Sequence, residues 1–105
     1  QSAIAETKIE SMVGTWKWED FTIRVSKCAK TEVCAKVASG PKNVGLEMIQ
    51  SKLKATGDSF VGKVAHPQTG DTYNSKISMK STNVWHIDGC TAANVCASGD
   101  FKRIN

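Results

Sequence analysis

Apolar and polar residues alternate with a period of two along most of this chain, which is the pattern of half-buried β-strands. The first two alternating segments, residues 16–18 and 21–25, flank the polar pair Glu19 and Asp20, which predicts a tight turn between two strands. Further strands are predicted at residues 33–37, 60–65, 72–80, 84–89 and 98–104.

Three segments depart from this alternation. Residues 39–45, which include Pro41, predict the longest irregular connection. Residues 46–55 are ambiguous, because their apolar positions fit either a strand or a helix. Residues 1–13 precede the first strand, and their apolar positions predict one short helix over 3–12 that plugs one end of the domain.

The succession of about eight short strands, with no long helix between them, predicts an all-β domain over residues 14–105. The expected architecture is a small antiparallel up-and-down barrel, because closure removes the exposed edges of an open sheet. A sandwich of two sheets is the alternative.

Composition agrees with one globular domain: 105 residues are 40% hydrophobic and 23% charged, with no apolar run long enough to span a membrane. The formal charge is +4, but the 14 basic residues are spread from Lys8 to Arg103. Arg24 and Lys63 alternate with apolar neighbours, as on the solvent face of a strand. We therefore expect no nucleic-acid partner, since that binding needs basic residues interleaved with outward aromatics.

Four cysteines form two equally spaced pairs, Cys28 with Cys34 and Cys90 with Cys96. The repeated spacing predicts two local disulfides, each across a hairpin, and each contributes about 2.4 kcal/mol by closing its loop. Such bridges indicate the periplasm or the outside of the cell. The N-terminal Gln1 fits a chain whose signal peptide has been removed. A four-cysteine zinc site is the alternative, although five intervening residues fit it poorly.

The sequence predicts no enzyme, no metal and no cofactor. His66 and His86 stand in no metal-ligand or nucleophile motif, and turn chemistry accounts for the carboxylates of Asp20 and Asp71. A serine nucleophile would need a base and an orienting partner, and the sequence indicates neither.

The aromatic and sulfur-containing residues are the best functional lead. One hypothesis has them fill the core, because an eight-stranded barrel is just wide enough for its own side chains. The other has five of them line a small apolar pocket. The residues of that predicted pocket are Trp18, Met48, Phe60, Met79 and Trp85.

Gly14 and Trp16 open the first strand, and Arg103 lies near the end of the last. In a closed meander these strands pair, so the Arg103 guanidinium is expected to lie over the Trp16 indole as a cation–π pair. Lipocalin-like barrels use a similar arrangement to lock closure.

Residues 61–73 resemble the "G-K-I-x-x-P-x-T-G-x-T-Y" segment of the bacterial domain-of-unknown-function 2147 (DUF2147) family. The matching positions are Gly62, Lys63, Val64, Pro67, Thr69, Gly70, Thr72 and Tyr73. The cysteine pairs, Gly89 before Cys90, and Arg103 resemble further family positions, so the resemblance covers residues 14–104.

The chain differs from the family pattern at three places: Phe60 and Phe101 replace tryptophans, and the segment 39–45 is shorter. The resemblance implies a lipocalin-like barrel exported by a bacterium, and it implies no catalytic residues. The first functional hypothesis is a protein that binds a small apolar or amphipathic molecule. The second is an interaction module or inhibitor that contacts another protein through its disulfide-stiffened hairpin loops.

Overall fold

The computed structural model describes residues 9–30 and 32–105, which form a short 3₁₀ helix followed by eight strands. The helix spans Ile9–Met12, and the strands are β1 (Gly14–Trp18), β2 (Phe21–Ala29), β3 (Glu32–Ser39), β4 (Lys54–Thr56), β5 (Ser59–Ala65), β6 (Thr72–Ser81), β7 (Val84–Cys90) and β8 (Cys96–Arg103). The predicted N-terminal helix is therefore a single 3₁₀ turn within the described residues, and its positions 3–8 lie outside them.

Every pair of neighbouring strands is antiparallel, and the order in the sheet is β3-β2-β1-β8-β7-β6-β5-β4. The chain is thus a meander whose first strand pairs with its last. Such a sheet must curl, and its inner face carries the core. This confirms the predicted all-β antiparallel barrel, here a curled sheet with β3 and β4 as its edge strands, and excludes two separate stacked sheets.

The ambiguous segment 46–55 is extended and links the two ends of the curled sheet. The Met48 N–H donates to the Ala35 carbonyl at 2.7 Å, and the Met48 carbonyl accepts from the Ala65 N–H at 2.7 Å. Ala35 belongs to β3 and Ala65 to β5, so this one residue bridges both. The helical alternative is wrong because these backbone groups bond to neighbouring strands instead of to each other.

The alternating strand directions place the turns at two ends of the barrel. The open end carries the connections 19–20, 40–45, 66–71 and 91–95. The closed end carries the other hairpin turns, the 3₁₀ helix and the C-terminus. Between them, Trp16 and Trp85 are fully buried and pack edge to face at 5.9 Å, and Trp85 stacks on Phe101 at 4.0 Å. Large aromatic rings therefore fill the closed half of the interior.

The Arg103 side chain holds the elements of the closed end together. Its guanidinium lies 4.2 Å from the centre of the Trp16 ring, which confirms the predicted cation–π contact. The same group donates to the carbonyls of Val13 and Ser11, both at 2.8 Å, and the Arg103 Nε donates to the Thr82 carbonyl at 3.1 Å. One side chain thus joins the first strand, the 3₁₀ helix and the β6–β7 turn.

Gly14 and Met12 complete this closure. The Trp16 indole N–H donates to the Met12 carbonyl at 2.8 Å, and the Met12 side chain is fully buried beneath the 3₁₀ turn. Gly14 has a φ of 145°, and a Cβ at this position would overlap the Arg103 guanidinium and lie 2.9 Å from the Asn105 carbonyl. Only glycine leaves room for the arginine here.

Both predicted disulfides are present, Cys28 with Cys34 and Cys90 with Cys96. The zinc alternative is therefore wrong, because all four sulfurs are used in bonds between cysteines. The Cys28–Cys34 bridge lies in the β2–β3 hairpin at the closed end, whereas the Cys90–Cys96 bridge lies in the β7–β8 hairpin at the open end.

Replacing Arg103 with methionine is expected to lower the free energy of unfolding by about 2–3 kcal/mol, since it removes the cation–π contact and the bonds to three carbonyls. Arg103→Lys should recover little of this loss, because an ammonium cannot span the three carbonyls. Urea unfolding measures the change. Lys102→Met is the control and should stay within about 0.5 kcal/mol of the parent protein. Equal midpoints for Arg103→Met and Lys102→Met would contradict this account of closure.

Candidate functional site

A small apolar cavity of about 40 Å³ opens at the open end of the barrel. A single water molecule needs roughly 10–15 Å³ of such space, so the cavity holds a few waters or one small apolar group. Its walls come from β1, β5, β6, β7 and β8 together with the 46–50 segment and the 66–71 turn. The lining residues are Trp18, Met48, Val64, Ala65, His66, Pro67, Tyr73, Ser75, Ile87, Gly89, Ala97, Ser98, Gly99 and Phe101.

β7 and β8 carry small residues on their inner face near the open end, where the cavity lies. Gly89, Ala97 and Gly99 line it, whereas Trp85 occupies an inner position of β7 closer to the closed end. A Cβ on Gly89 would lie 2.5 Å from the Ser75 hydroxyl oxygen. Gly89 therefore lets the Ser75 side chain pack against bare backbone on this wall of the cavity.

Trp18 forms the aromatic wall of the site. Its ring stacks on Phe21 at 5.7 Å and on Phe101 at 5.8 Å, and it meets His66 edge-on at 5.2 Å. A Cβ on Gly99 would lie 2.7 Å from the Trp18 Nε1 atom, so the indole rests on bare backbone. These contacts fix the ring in one orientation at the cavity mouth.

The 66–71 turn holds His66 over the cavity. The His66 N–H donates to the Asp71 carbonyl at 2.8 Å, and the Gly70 N–H donates to the His66 carbonyl at 2.7 Å. The His66 Nδ1 accepts from the Gln68 N–H at 3.1 Å, so its neutral ring carries the proton on Nε2. Burial lowers the pKa of His66, and the nearby Asp71 carboxylate opposes this effect.

A second loop is tied to this turn. The Asn43 side-chain amide donates to the Pro67 carbonyl at 2.8 Å, which connects the 40–45 loop to the 66–71 turn. Asn43 itself has a positive φ of 55°, a conformation that asparagine tolerates better than most residues. The shortened segment noted in the sequence therefore still reaches the cavity mouth.

Of the five predicted pocket residues, the structure brings Trp18 and Met48 to the cavity. Phe60 and Trp85 are buried in the filled part of the interior, and Met79 pairs with Trp85 toward the closed end. Sequence reasoning missed the remaining wall, most of all the small inner residues. These small residues could have been found from the sequence, because the alternation of the strands directs glycine and alanine inward at these positions. The assignment of Trp18 and Met48 to ligand binding stays a prediction.

His66 and its neighbour Tyr73 were also missed. Their rings lie 5.5 Å apart beside the cavity. The turn that carries His66 folds inward, so that its side chain lines the site.

A chain of polar side chains lies on the outer face of β6, β7 and β8. His86 is 2.6 Å from Asp100 through Nδ1 and 3.0 Å from Asp88 through Nε2, and Lys80 lies 3.3 Å from Asp100. The hydrogen bond with His86, aided by Lys80, lowers the pKa of Asp100. These groups satisfy one another at the surface and take no part in the cavity.

Within residues 9–30 and 32–105, no three side chains of the metal-binding types are grouped to hold an ion. The same residues contain no helix of the length and apolarity that a bilayer crossing requires.

Comparison with known proteins gives one match. The family model described as an uncharacterized protein conserved in bacteria (DUF2147) matches residues 14–103. No curated protein and no solved structure matches the chain. The matched region begins at Gly14 and ends at Arg103, which are the two residues that meet at the closed end of the barrel. The chain belongs to the DUF2147 family, as its motifs had indicated.

Proposed function

We propose that this protein is a non-enzymatic binding protein that takes the apolar end of a small molecule into the cavity at its open end. One observation carries the proposal: β7 and β8 place glycine and alanine at inner positions where strands of the same sheet elsewhere place large side chains. Ser75 and Trp18 pack on the bare backbone of Gly89 and Gly99, and an apolar cavity remains beside them.

The cavity volume limits the class of ligand. About 40 Å³ admits a short alkyl group or the edge of one ring, and the rest of the molecule must stay at the mouth. Trp16, Phe60 and Trp85 occupy the interior below, so a long chain has no deep channel to enter. The ligand class is therefore small, or amphipathic with a polar part in water.

The chemistry at the cavity supports binding more than catalysis. Among the described residues that line it, none is a carboxylate or a free thiol, and the Ser75 hydroxyl donates to the Tyr73 carbonyl at 3.0 Å. His66 has one ring nitrogen engaged by the Gln68 N–H. Such a site orients an apolar group but offers no nucleophile with an adjacent base.

Two disulfides in a small domain are consistent with an extracytoplasmic location. We propose that the protein works in the periplasm or outside the cell, after export. There it would hold a small apolar or amphipathic ligand of the producing bacterium.

Filling the cavity should abolish binding. Ala97→Leu places a larger side chain on the cavity wall, at a cost to stability of about 1–3 kcal/mol from overpacking. Native mass spectrometry of protein purified from a bacterium of its own kind measures co-purified ligand against the denatured mass. We expect an added, dissociable mass on the parent protein and none on Ala97→Leu. Ala38→Leu, on an exposed position of β3, is the matched control. A mass retained unchanged by Ala97→Leu would contradict the site.

The stability of the protein should weaken in mild acid. Because burial lowers the folded-state pKa of His66 below its ordinary value of 6.5, the unfolded chain binds the proton more readily. The stability contribution is complete above pH 6.5 and is lost as the pH falls toward the folded-state pKa. Urea unfolding across this range should show the loss. His66→Asn should flatten the profile; a profile unchanged by His66→Asn would contradict this role.

One observation favours the interaction hypothesis as a second candidate. The 91–95 loop exposes Ala92, Ala93 and Val95 to solvent, with 58% of Val95 accessible. The Thr91 hydroxyl accepts from the N–H groups of Ala93 and Val95, both at 3.2 Å, and the adjacent Cys90–Cys96 bridge closes the loop. A loop ordered in this way binds at a lower entropic cost.

The two disulfide hairpins lie at opposite ends of the barrel, so this candidate uses one hairpin and not both. Ala92→Glu at the open end and Ala29→Glu at the closed end make the same chemical change in the two hairpins. A specific partner recovered by affinity capture from the native extract should be lost with Ala92→Glu and kept with Ala29→Glu. Loss with both variants, or with neither, would count against the open-end loop.

A further inference from the structure

Four exposed cations lie side by side on the outer face of β3, β2, β1 and β8. Lys36 stands opposite Arg24 in the strand register, and Lys17 stands opposite Lys102. Arg24 and Lys17 occupy diagonal positions on β2 and β1. We call these four residues the basic strip. The sequence showed scattered basic residues, and the register of the sheet gathers four of them.

The basic strip lowers the stability of the fold, because like charges that stand directly opposite each other on neighbouring strands repel. Among the described ion pairs, one reaches the strip, between Lys36 and Glu47 at 3.5 Å. Cations on the other side of the barrel are balanced differently: Lys76 stands opposite Asp88 in the register, and Lys80 lies 3.3 Å from Asp100. The cations of the basic strip are therefore less balanced by carboxylates than Lys76 and Lys80 are.

Exposed aliphatic side chains border the basic strip at the closed end. Ile104, two residues beyond Lys102, is 55% exposed, and its N–H donates to the Thr15 carbonyl on β1 at 2.9 Å. Val13, directly before β1, is 38% exposed. Cations beside exposed aliphatic groups are the combination that a charged lipid surface recognises.

The outer face of the same four strands does not fit nucleic-acid binding. Every residue of β1, β2, β3 and β8 is described, and their aromatic residues Trp16, Trp18, Phe21 and Phe101 all belong to the interior or the cavity. The outer face thus offers no ring on which a base could stack.

We propose that the basic strip docks this protein on the surface of an anionic phospholipid bilayer. Lys17, Arg24, Lys36 and Lys102 contact lipid phosphates, while Ile104 and Val13 enter the boundary between headgroups and acyl chains. Because the aliphatic residues lie at the closed end, the open end and its cavity face away from the membrane. The contact is reversible and weakens with salt, since its main attraction is electrostatic.

Vesicle co-sedimentation tests the proposal, with vesicles of mixed phosphatidylglycerol and phosphatidylcholine against vesicles of phosphatidylcholine alone. We expect binding to the anionic vesicles only, and its loss at about 0.5 M salt, where charges are screened within a few ångströms. Lys17→Ser/Lys102→Ser should weaken binding about fivefold for each cation removed, or about 25-fold together. Ile104→Ser should weaken it less, and in a way that salt does not change.

The matched control is Lys63→Ser/Lys76→Ser, which removes the same charge from exposed positions of β5 and β6. It should bind like the parent protein. Equal loss in both double variants, equal binding to uncharged vesicles, or tight binding to soluble dextran sulfate without binding to vesicles would each overturn the proposal.

Thermal unfolding gives an independent check: Lys17→Ser/Lys102→Ser should be at least as stable as the parent protein, because it removes a repulsive pair. A less stable variant would overturn the claim that the strip is retained at a cost.

Discussion

The contact between the Arg103 guanidinium and the Trp16 ring is the constraint on which the rest of the structure depends. The seam between the first and last strands is short: β1 and β8 pair at two register positions, against five for β1 and β2, and backbone bonds of Thr15 with Ile104 and Asn105 extend it. Arg103 reinforces this short ladder by bonding to Val13 and Ser11 across the seam, and it also bonds to Thr82 in the β6–β7 turn. Gly14 is required because any side chain there would displace the arginine.

Closure fixes which face of each strand points inward, and the inward residues then divide the interior in two. Toward the closed end, Trp16 and Trp85 pack edge to face and leave no room for a guest. Toward the open end, β7 and β8 carry the small residues Gly89, Ala97 and Gly99 at inner positions. The same alternation directs Lys17, Arg24, Lys36 and Lys102 outward. The cavity and the basic strip are therefore two consequences of one strand register.

The sequence predicted what depends on local pattern. The alternation around the Glu19–Asp20 turn, the two cysteine pairs and the pairing of Arg103 with Trp16 were all predicted, because each follows from strand parity or from the topology of a closed meander. It did not identify the cavity wall, since an absent side chain leaves no apolar signal. The basic strip was also missed, because Lys17 and Lys102 are distant in the chain and meet only through a register that the sequence does not display. The inward placement of His66 likewise depends on how the 66–71 turn folds.

The central claim is that the open half of the barrel admits a small apolar group and the closed half does not. Nuclear magnetic resonance under xenon pressure tests it most directly, because xenon enters small apolar cavities and the three tryptophan indoles report from known places. Trp18 lines the cavity, while Trp16 and Trp85 belong to the filled interior. The account predicts a saturable shift of the Trp18 indole signal with little change at Trp16 and Trp85. An unmoved Trp18 signal, or shifts centred on Trp16 and Trp85, would contradict it.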